Sequence, residues 1–175
     1  MNTDKYITEL FIKAGWHERR KFNVETLSSG SISAAYGNAV SVLREYGGLN
    51  VGEVGTGREM SASDIAFRSG VLDFGREFHN YWGDQKLSLF AFASAHHDHM
   101  LLIVDANNEF YVFTDPDEQL YKIGSFDETV KRVLLGISYG VALEKMPNKK
   151  LHPTIYKLSE LALRCAPLYA NSVSL

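Results

Sequence analysis

The chain of 175 residues has the length of one domain, since single domains mostly run to roughly 100–200 residues. Its composition, 45% hydrophobic, 12% aromatic and 22% charged, excludes intrinsic disorder, collagen and coiled-coil arrays. A single cysteine, Cys165, excludes an internal disulfide framework and fits a reducing compartment. No apolar run approaches the roughly 20 residues that cross a bilayer, and the first residues do not resemble a signal peptide. We therefore expect a cytoplasmic protein with no membrane partner.

The net charge of -3 hides an asymmetry along the chain. Residues 1–145 carry 14 basic and 20 acidic side chains, whereas residues 146–175 carry four basic side chains and one acid. This shift predicts one domain over 1–145, followed by a basic extension of unknown role. Within the domain, residues 98–128 hold eight acids and one base, Lys122. Such a field disfavours direct binding of nucleic acid and favours a cationic partner, although acids in turns often only solvate the surface.

Apolar residues at helical spacing predict three helices in the first half of the chain. The first begins after a cap at Thr3-Asp4 and ends at Gly15. The second begins after a cap at Ser31 and ends at Tyr46-Gly47-Gly48, since a left-handed glycine closes a helix without Cβ strain. A third is predicted over 71–82, where apolar side chains share one helical face.

Two short strands are predicted beside the second helix, at 22–24 and 49–51. Gly52, Gly55 and Gly57 follow in the order G-x-x-G-x-G, which does not match a dinucleotide-binding loop. We interpret these glycines as a turn between strands.

The second half of the chain predicts an antiparallel meander. Four apolar segments are separated by residues typical of hairpin turns, and these segments are Leu87–Ala95, Met100–Val104, Phe110–Phe113 and Leu120–Ile123. Ser125 and Glu128 form a capping-box pattern that opens a fourth helix, predicted to end near Gly140. The order of elements predicts an α+β single domain with a mixed, mainly antiparallel sheet packed by helices.

His96-His97-Asp98-His99 is the only cluster in the sequence with metal-ligand side chains. On a strand only two of its side chains would share a face, and the cluster falls where a turn is needed, so we predict a hairpin turn with no metal and no cofactor. Asp64 with Asp73, or Asp115 with Asp117, would supply paired carboxylates, but turns and a helix start explain both pairs. No nucleophile elbow is present. We predict that the chain is not an enzyme, and keep a metal-dependent hydrolase using His96–His99 as an alternative.

The order of several short motifs resembles the SUKH superfamily. A helix ending in Ala14-Gly15-Trp16, a stretch containing Arg and Lys, and a helix ending in Leu43–Leu49 (LREYGGL) are similar to its third subgroup, the immunity proteins of bacterial toxin systems. The later strands and the cap at Ile123–Glu128 agree, and the resemblance covers roughly 6–143. The strand at Leu89–Ala93 lacks the proline and glycine of the family pattern, and the extension has no counterpart in it.

The resemblance implies a non-catalytic protein that binds and neutralises a cognate toxin domain, such as a nuclease or another nucleic-acid-modifying enzyme, inside the producing cell. A general protein-interaction domain is a further alternative. The shared motif residues are themselves interpreted as structural, with Trp16 as a buried anchor and Gly47 and Gly48 as a helix stop.

An inhibitor that covers a phosphate-binding cleft should carry carboxylates, and aromatic residues usually dominate interface energy. We therefore predict toxin-binding residues among the acids of the meander turns, the acids on the exposed side of the 71–82 helix and two nearby tyrosines. These residues are Asp105, Asp115, Asp117, Glu118, Asp73, Glu77, Tyr81 and Tyr111.

Overall fold

The structure, a computed structural model, describes residues 5–24, 34–68, 89–115 and 117–145. The helices within these residues are α1 (Lys5–Lys13), α2 (Ala34–Tyr46) and α3 (Phe126–Leu135). The strands within them are β1 (Asn50–Val51), β2 (Gly55–Thr56), β3 (Ser61–Ala62), β4 (Ile65–Ala66), β5 (Leu89–Ala95), β6 (Met100–Asp105), β7 (Phe110–Thr114) and β8 (Gln119–Lys122). Among the described helices, none has the length and apolar character needed to cross a membrane.

Six of the strands form one sheet in the order β1-β4-β5-β6-β7-β8, and β2 and β3 form a separate hairpin. Each described pair of strands is antiparallel. The predicted α+β class and the predicted meander of four strands are therefore confirmed. The meander forms readily because polar turns separate its apolar segments, and consecutive strands then pair without a crossover.

A register shift marks a β-bulge in β5, a strand that is buried along its whole length. Ala91 lies opposite Ile103, whereas Ala93 lies opposite Leu102, so Phe92 is the extra residue of a β-bulge. Phe92 and Ala93 consequently both belong to the main core, although they are consecutive in a strand.

The main core lies between one face of the sheet and the three described helices. Phe11 of α1 contacts Tyr46 of α2 with ring centroids 5.2 Å apart, and Tyr46 stacks on Phe126 of α3 at 5.0 Å. Phe126 also lies 6.1 Å from Phe92 of β5. Aromatic rings thus join each described helix to the sheet, and such pairs contribute about 0.5–1.5 kcal/mol beyond their area of burial.

A second cluster occupies the other face of the sheet. Its buried members are Leu89, Ala91, Ile103, Tyr111, Phe113 and Leu120. Partly buried Leu143 packs against this cluster, and its backbone N–H donates to the Leu120 carbonyl at 2.7 Å. Because both faces of the central strands are buried, these strands are almost continuously apolar in sequence.

Three details differ from the sequence predictions. The segment 22–24 is not a strand, because Phe22 N–H bonds to the Arg44 carbonyl beside α2 instead of to a sheet. The glycines at 52–57 do not form a simple turn, since β2 lies within them. The helix that follows the meander, α3, ends at Leu135, where Gly136 takes the left-handed conformation with φ 59°, and not near Gly140.

Several predictions fall outside the described residues. They concern the cap at Thr3-Asp4, the cap at Ser31, the helix over 71–82 and the extension at 146–175.

Candidate functional site

The motif Ala14-Gly15-Trp16 closes α1. Gly15 has φ 98°, and the N–H of Trp16 donates to the Phe11 carbonyl at 2.9 Å, which is the hydrogen bond of a Schellman helix end. Trp16 is half-buried and packs against the main core. This motif is therefore a helix terminus with an apolar contact, as the sequence indicated.

The basic stretch and the second glycine motif meet at the end of α2. The Arg20 guanidinium donates to the Glu45 carbonyl at 2.8 Å and to the Gly47 carbonyl, and it lies 5.9 Å from the centroid of the Phe22 ring. A Cβ at Gly47 would lie 2.5 Å from Phe22. The motif glycine thus makes room for Phe22, while Arg20 satisfies carbonyls that a helix end leaves unpaired.

The β2–β3 hairpin supplies hydrogen-bond donors to the carbonyl groups at the end of α3. The N–H groups of Arg58 and Ser63 donate to the Leu135 and Val133 carbonyls at 2.8 and 3.0 Å. The two backbones touch, since a Cβ at Gly57 would lie 2.7 Å from the Cα of Gly136. The motifs shared with the SUKH superfamily and these glycines are accordingly structural, and a binding site has to be sought elsewhere.

Polar and charged side chains, exposed or half-buried, gather at one end of the sheet, where the 96–99 turn, the 115–118 turn and Asp64 meet. The Asp115 N–H donates to the His99 carbonyl at 2.9 Å, and the His97 N–H donates to an Asp64 carboxylate oxygen at 3.1 Å. We call this the turn-end surface, and its members are Asp64, Arg68, His96, His97, Asp98, His99, Asp115, Asp117 and Glu118. It carries five carboxylates and one arginine, and Lys145 reaches it through an ion pair with Glu118 at 3.3 Å.

Backbone strain and side-chain bonds fix the shape of the 96–99 turn. His96, His97 and Asp98 all have positive φ, between 50° and 70°, which non-glycine residues rarely adopt. Ser94 Oγ donates to Asp98 at 2.6 Å, and Arg68 pairs with the same carboxylate at 3.1 Å. The turn predicted from the sequence is therefore present, and it is held in one conformation by its neighbours.

The histidine cluster does not gather ligands for a metal in this geometry. His96 Nδ1 lies 3.0 Å from Ser63 Oγ, and Asp98 is directed to Ser94 and Arg68. Among the described residues, no group of three or more His, Cys, Asp or Glu side chains is arranged to hold a metal ion.

The acids of the 115–118 turn are accessible to different degrees. Asp117 is exposed and accepts a hydrogen bond from Thr114 Oγ1 at 2.6 Å, and Glu118 is exposed beside Lys145. Asp115 is half-buried. The structure thus brings Asp115, Asp117 and Glu118 together, as expected for residues of one turn.

Unlike the acids of the 115–118 turn, Asp105 and Tyr111 are buried, with 1% and 2% of their surface exposed. Asp105 accepts from the N–H groups of Asn107 and Glu109 at 2.8 and 2.9 Å and from the Tyr111 hydroxyl at 3.1 Å. Burial, together with the nearby Asp105 charge, raises the pKa of Tyr111 above its ordinary value. These two residues organise the β6–β7 turn from within, so they do not supply accessible surface to a partner.

Sequence reasoning missed this role because an Asp at a strand end looks the same whether it is solvated or buried. The available signal was the run Asp105-Ala106-Asn107-Asn108, which is typical of an Asx turn. The other predicted contacts, Asp73, Glu77 and Tyr81, lie outside the described residues.

A groove that the sequence did not indicate lies between α1 and the Gly52–Arg58 segment. It has a volume of about 760 Å³, and the end of α3 contributes Leu134 and Leu135 to its lining. On the side of α1 it is lined by Leu10 and Lys13, among others. Its walls come from three separated parts of the chain, so no local pattern could have revealed it.

The family model described as SUKH-3 immunity protein matches residues 3–136. No curated protein and no solved structure matches the chain.

Proposed function

The chain belongs to the SUKH-3 immunity protein family, and from this membership we propose that it binds a cognate bacterial toxin domain and neutralises it without catalysis. The toxin is an enzyme that acts on nucleic acid, such as a nuclease. Neutralisation takes place in the cytoplasm of the producing cell, before the toxin reaches its substrate.

The observation that supports a toxin of this chemistry is the charge of the turn-end surface. This surface has five carboxylates but only one arginine, Arg68, which pairs with Asp98, and one lysine beside it, Lys145, which pairs with Glu118. Enzymes that act on nucleic acid hold phosphates in cationic clefts, so an inhibitor with clustered carboxylates matches such a cleft in charge. Charge complementarity of this kind raises the rate of encounter and excludes unsuitable partners.

The mechanism that fits this surface is occlusion by a preformed patch. The carboxylate of Asp98 is fixed by Ser94 and Arg68, and that of Asp117 by Thr114. Side chains that are already ordered lose little conformational entropy when a partner binds. A rigid acidic edge would therefore cover the mouth of a cleft without having to rearrange.

A hydrolase that uses the histidine cluster is a weaker explanation of the same residues. His96 and Asp98 are engaged with Ser63, Ser94 and Arg68. A metal would have to break these bonds before three ligands could converge. The carboxylates need no such rearrangement to meet a cationic protein surface.

The direct test is co-purification with the toxin domain. A neighbouring reading frame that encodes a large secreted protein with a variable C-terminal domain identifies the partner, and that domain is produced with its catalytic residue inactivated. We expect a stable 1:1 complex, and we expect the active domain to lose its activity on nucleic acid when one equivalent of this chain is added. Absence of a complex at micromolar concentrations of both proteins would contradict the proposal.

A further inference from the structure

The groove between α1 and Gly52–Arg58 has the size of a binding site. Its volume of about 760 Å³ falls within the range of roughly 300–1,000 Å³ that is usual for ligand sites in proteins. Leu10 and Leu134 provide apolar lining, while Asn50 and Thr56 provide polar groups. A mixture of apolar wall and a few polar groups suits a peptide better than a purely apolar ligand.

The strand β2 lies along this groove, and its edge away from β3 meets no other strand of the described residues. Among the described strands β2 pairs with β3 alone, and both of its residues, Gly55 and Thr56, are exposed. Backbone groups at such an edge are available to a further extended chain. Gly55 has no side chain to hold that chain away, and a glycine in a strand often marks a close approach of another backbone.

The charge of the groove is opposite to that of the turn-end surface. The lining residues that are charged at neutral pH are Lys13, Arg58 and Glu53, which gives a net charge of one positive unit. Lys13 and Glu53 lie 3.7 Å apart on the rim and are both largely exposed. A segment that carries a carboxylate therefore matches the groove, whereas a cationic segment matches the acidic turns.

The groove and the turn-end surface adjoin one another. Ala62 lines the groove, and Asp64, two residues further along the chain, accepts a hydrogen bond from His97 N–H in the 96–99 turn. Two residues of extended chain span about 7 Å. Ser63, between them, donates its N–H to the Val133 carbonyl at the end of α3 and contacts His96. One partner of ordinary size would consequently cover both surfaces, since a standard interface buries about 800 Å² on each protein.

We propose that this groove is a second docking site for the toxin, and that it takes an extended segment of the toxin that bears a carboxylate and runs along β2. The inference rests on the proposed function. It adds that the toxin presents two chemically different features, a cationic cleft to the acidic turns and an acidic, extended segment to the groove.

Gly55 in the wall of the groove can accept a side chain. A Cβ at Gly55 would have no atom within 4 Å, and the φ of this residue is not positive, so we choose Gly55→Trp to obstruct the groove. Gly37 on the exposed side of α2 is equally open, and Gly37→Trp is the matched control. Gly57 is unsuitable because its Cβ would lie 2.2 Å from the Met60 carbonyl oxygen.

The experiment measures binding of the inactivated toxin domain to the full chain by calorimetry. We expect Gly55→Trp to weaken binding by about tenfold or more and Gly37→Trp to leave it unchanged, while both variants keep the wild-type thermal midpoint. Gly55→Glu and Gly55→Lys provide a second readout, in which Glu should weaken binding more than Lys because it repels a carboxylate. Equal affinities for wild type, Gly55→Trp and Gly55→Glu would overturn the groove proposal.

The outcomes separate this inference from the function on which it rests. If the wild-type chain binds the toxin domain and the Gly55 variants bind equally well, the groove proposal fails and the immunity function stands. If the wild-type chain does not bind, both fail. If Gly55→Trp lowers the thermal midpoint, the comparison of Gly55→Glu with Gly55→Lys decides, since equal affinities of these two variants would still overturn the proposal.

Discussion

The Tyr111 hydroxyl donates a hydrogen bond to the buried carboxylate of Asp105 at 3.1 Å, across the turn that joins β6 to β7. The same carboxylate accepts hydrogen bonds from two backbone N–H groups of that turn, those of Asn107 and Glu109. Asp105 thus has three donors, and the turn is built around it. As the last residue of β6, Asp105 is the one acid that is buried among the described residues, and its role is structural.

Removing this carboxylate should destabilise the fold. Asp105→Ala leaves three donors without this partner, of which the Tyr111 hydroxyl is buried, and we expect a loss of about 1–3 kcal/mol in the free energy of unfolding. Tyr111→Phe removes a single hydrogen bond and should cost about 1 kcal/mol. Urea denaturation checks both values, with Asp117→Ala as the exposed control, expected within about 0.5 kcal/mol of wild type. A Tyr111→Phe variant of unchanged stability but reduced toxin affinity would show that Tyr111 is a contact residue after all.

Alkaline pH should destabilise the protein through its buried tyrosines. Burial raises the pKa values of Tyr46, Tyr111 and Tyr139, with smaller contributions from neighbouring charges. In the unfolded chain tyrosine ionises near pH 10. Above that pH the unfolded state loses protons that the folded state keeps, so the free energy of unfolding is maintained below about pH 10 and decreases as the pH rises further.

Urea midpoints between pH 8 and pH 11 measure this effect. Tyr139→Phe removes one of the titrating groups, so its stability should decrease less steeply with pH than that of the wild type. A flat profile through pH 11 in the wild-type protein would contradict the assignment of these hydroxyls to buried, protonated positions.

Arg20 should contribute to stability through the end of α2. Hydrogen bonds from a charged group contribute about 1.5–3 kcal/mol, and Arg20 donates to the Glu45 and Gly47 carbonyls. Because this site is partly exposed, we expect Arg20→Ala to cost about 1–2 kcal/mol. Arg19→Ala, at an exposed neighbouring position, is the control. Equal unfolding midpoints for the two variants would mean that the guanidinium is not needed to close the helix.

In the 96–99 turn, substitution by glycine should affect stability differently from the same substitution at an ordinary exposed position. His97 has φ 53°, a conformation in which glycine is unstrained and alanine is not. His97→Gly should therefore be at least as stable as His97→Ala, whereas glycine at an ordinary exposed position lowers stability relative to alanine. His99, outside the positive-φ run, is the comparison site. Thermal midpoints measure the difference.

The same turn should not hold a metal ion. Elemental analysis of the purified protein should therefore find substoichiometric zinc. One tightly held metal per chain would contradict the turn interpretation.

The elements that could be predicted from sequence are those with local signals. The Ser125 hydroxyl accepts the Glu128 N–H at 3.2 Å, as its capping pattern indicated. The meander strands and the glycine ends of α1 and α2 were predicted for the same reason, since turn residues and glycines mark boundaries wherever the rest of the chain lies.

The features that sequence could not supply depend on contacts between distant segments. Gly136 and Gly140 are equally plausible helix stops in sequence, but the hairpin backbone at Gly57 packs directly on Gly136 and ends the helix there. The apolar character of Phe22 predicts a strand when only its neighbours in sequence are considered. In the structure its ring instead packs against the backbone of Gly47. The groove and the burial of Asp105 have the same origin in tertiary packing.

The acids of the 115–118 turn provide the last prediction. If they meet a cationic cleft, reversing Asp115, Asp117 and Glu118 to Lys should weaken binding of the inactivated toxin domain at low salt, mainly through slower association. Mobile ions screen exposed charges within about 10 Å at 0.1 M salt, so the difference from wild type should shrink as salt is added.

Affinity and association rate are measured at two salt concentrations, with stability followed in parallel because Glu118 also pairs with Lys145. Asp117→Lys alone, compared with Glu18→Lys at an exposed residue outside the turn-end surface, separates a local effect from a change in net charge. Since Asp117 and Glu18 carry the same charge and are both exposed, a contact at the turn requires the first variant to lose more affinity than the second. Unchanged affinity and unchanged salt dependence in the triple variant would place the toxin interface away from these turns, and the groove beside α1 would then have to carry the binding.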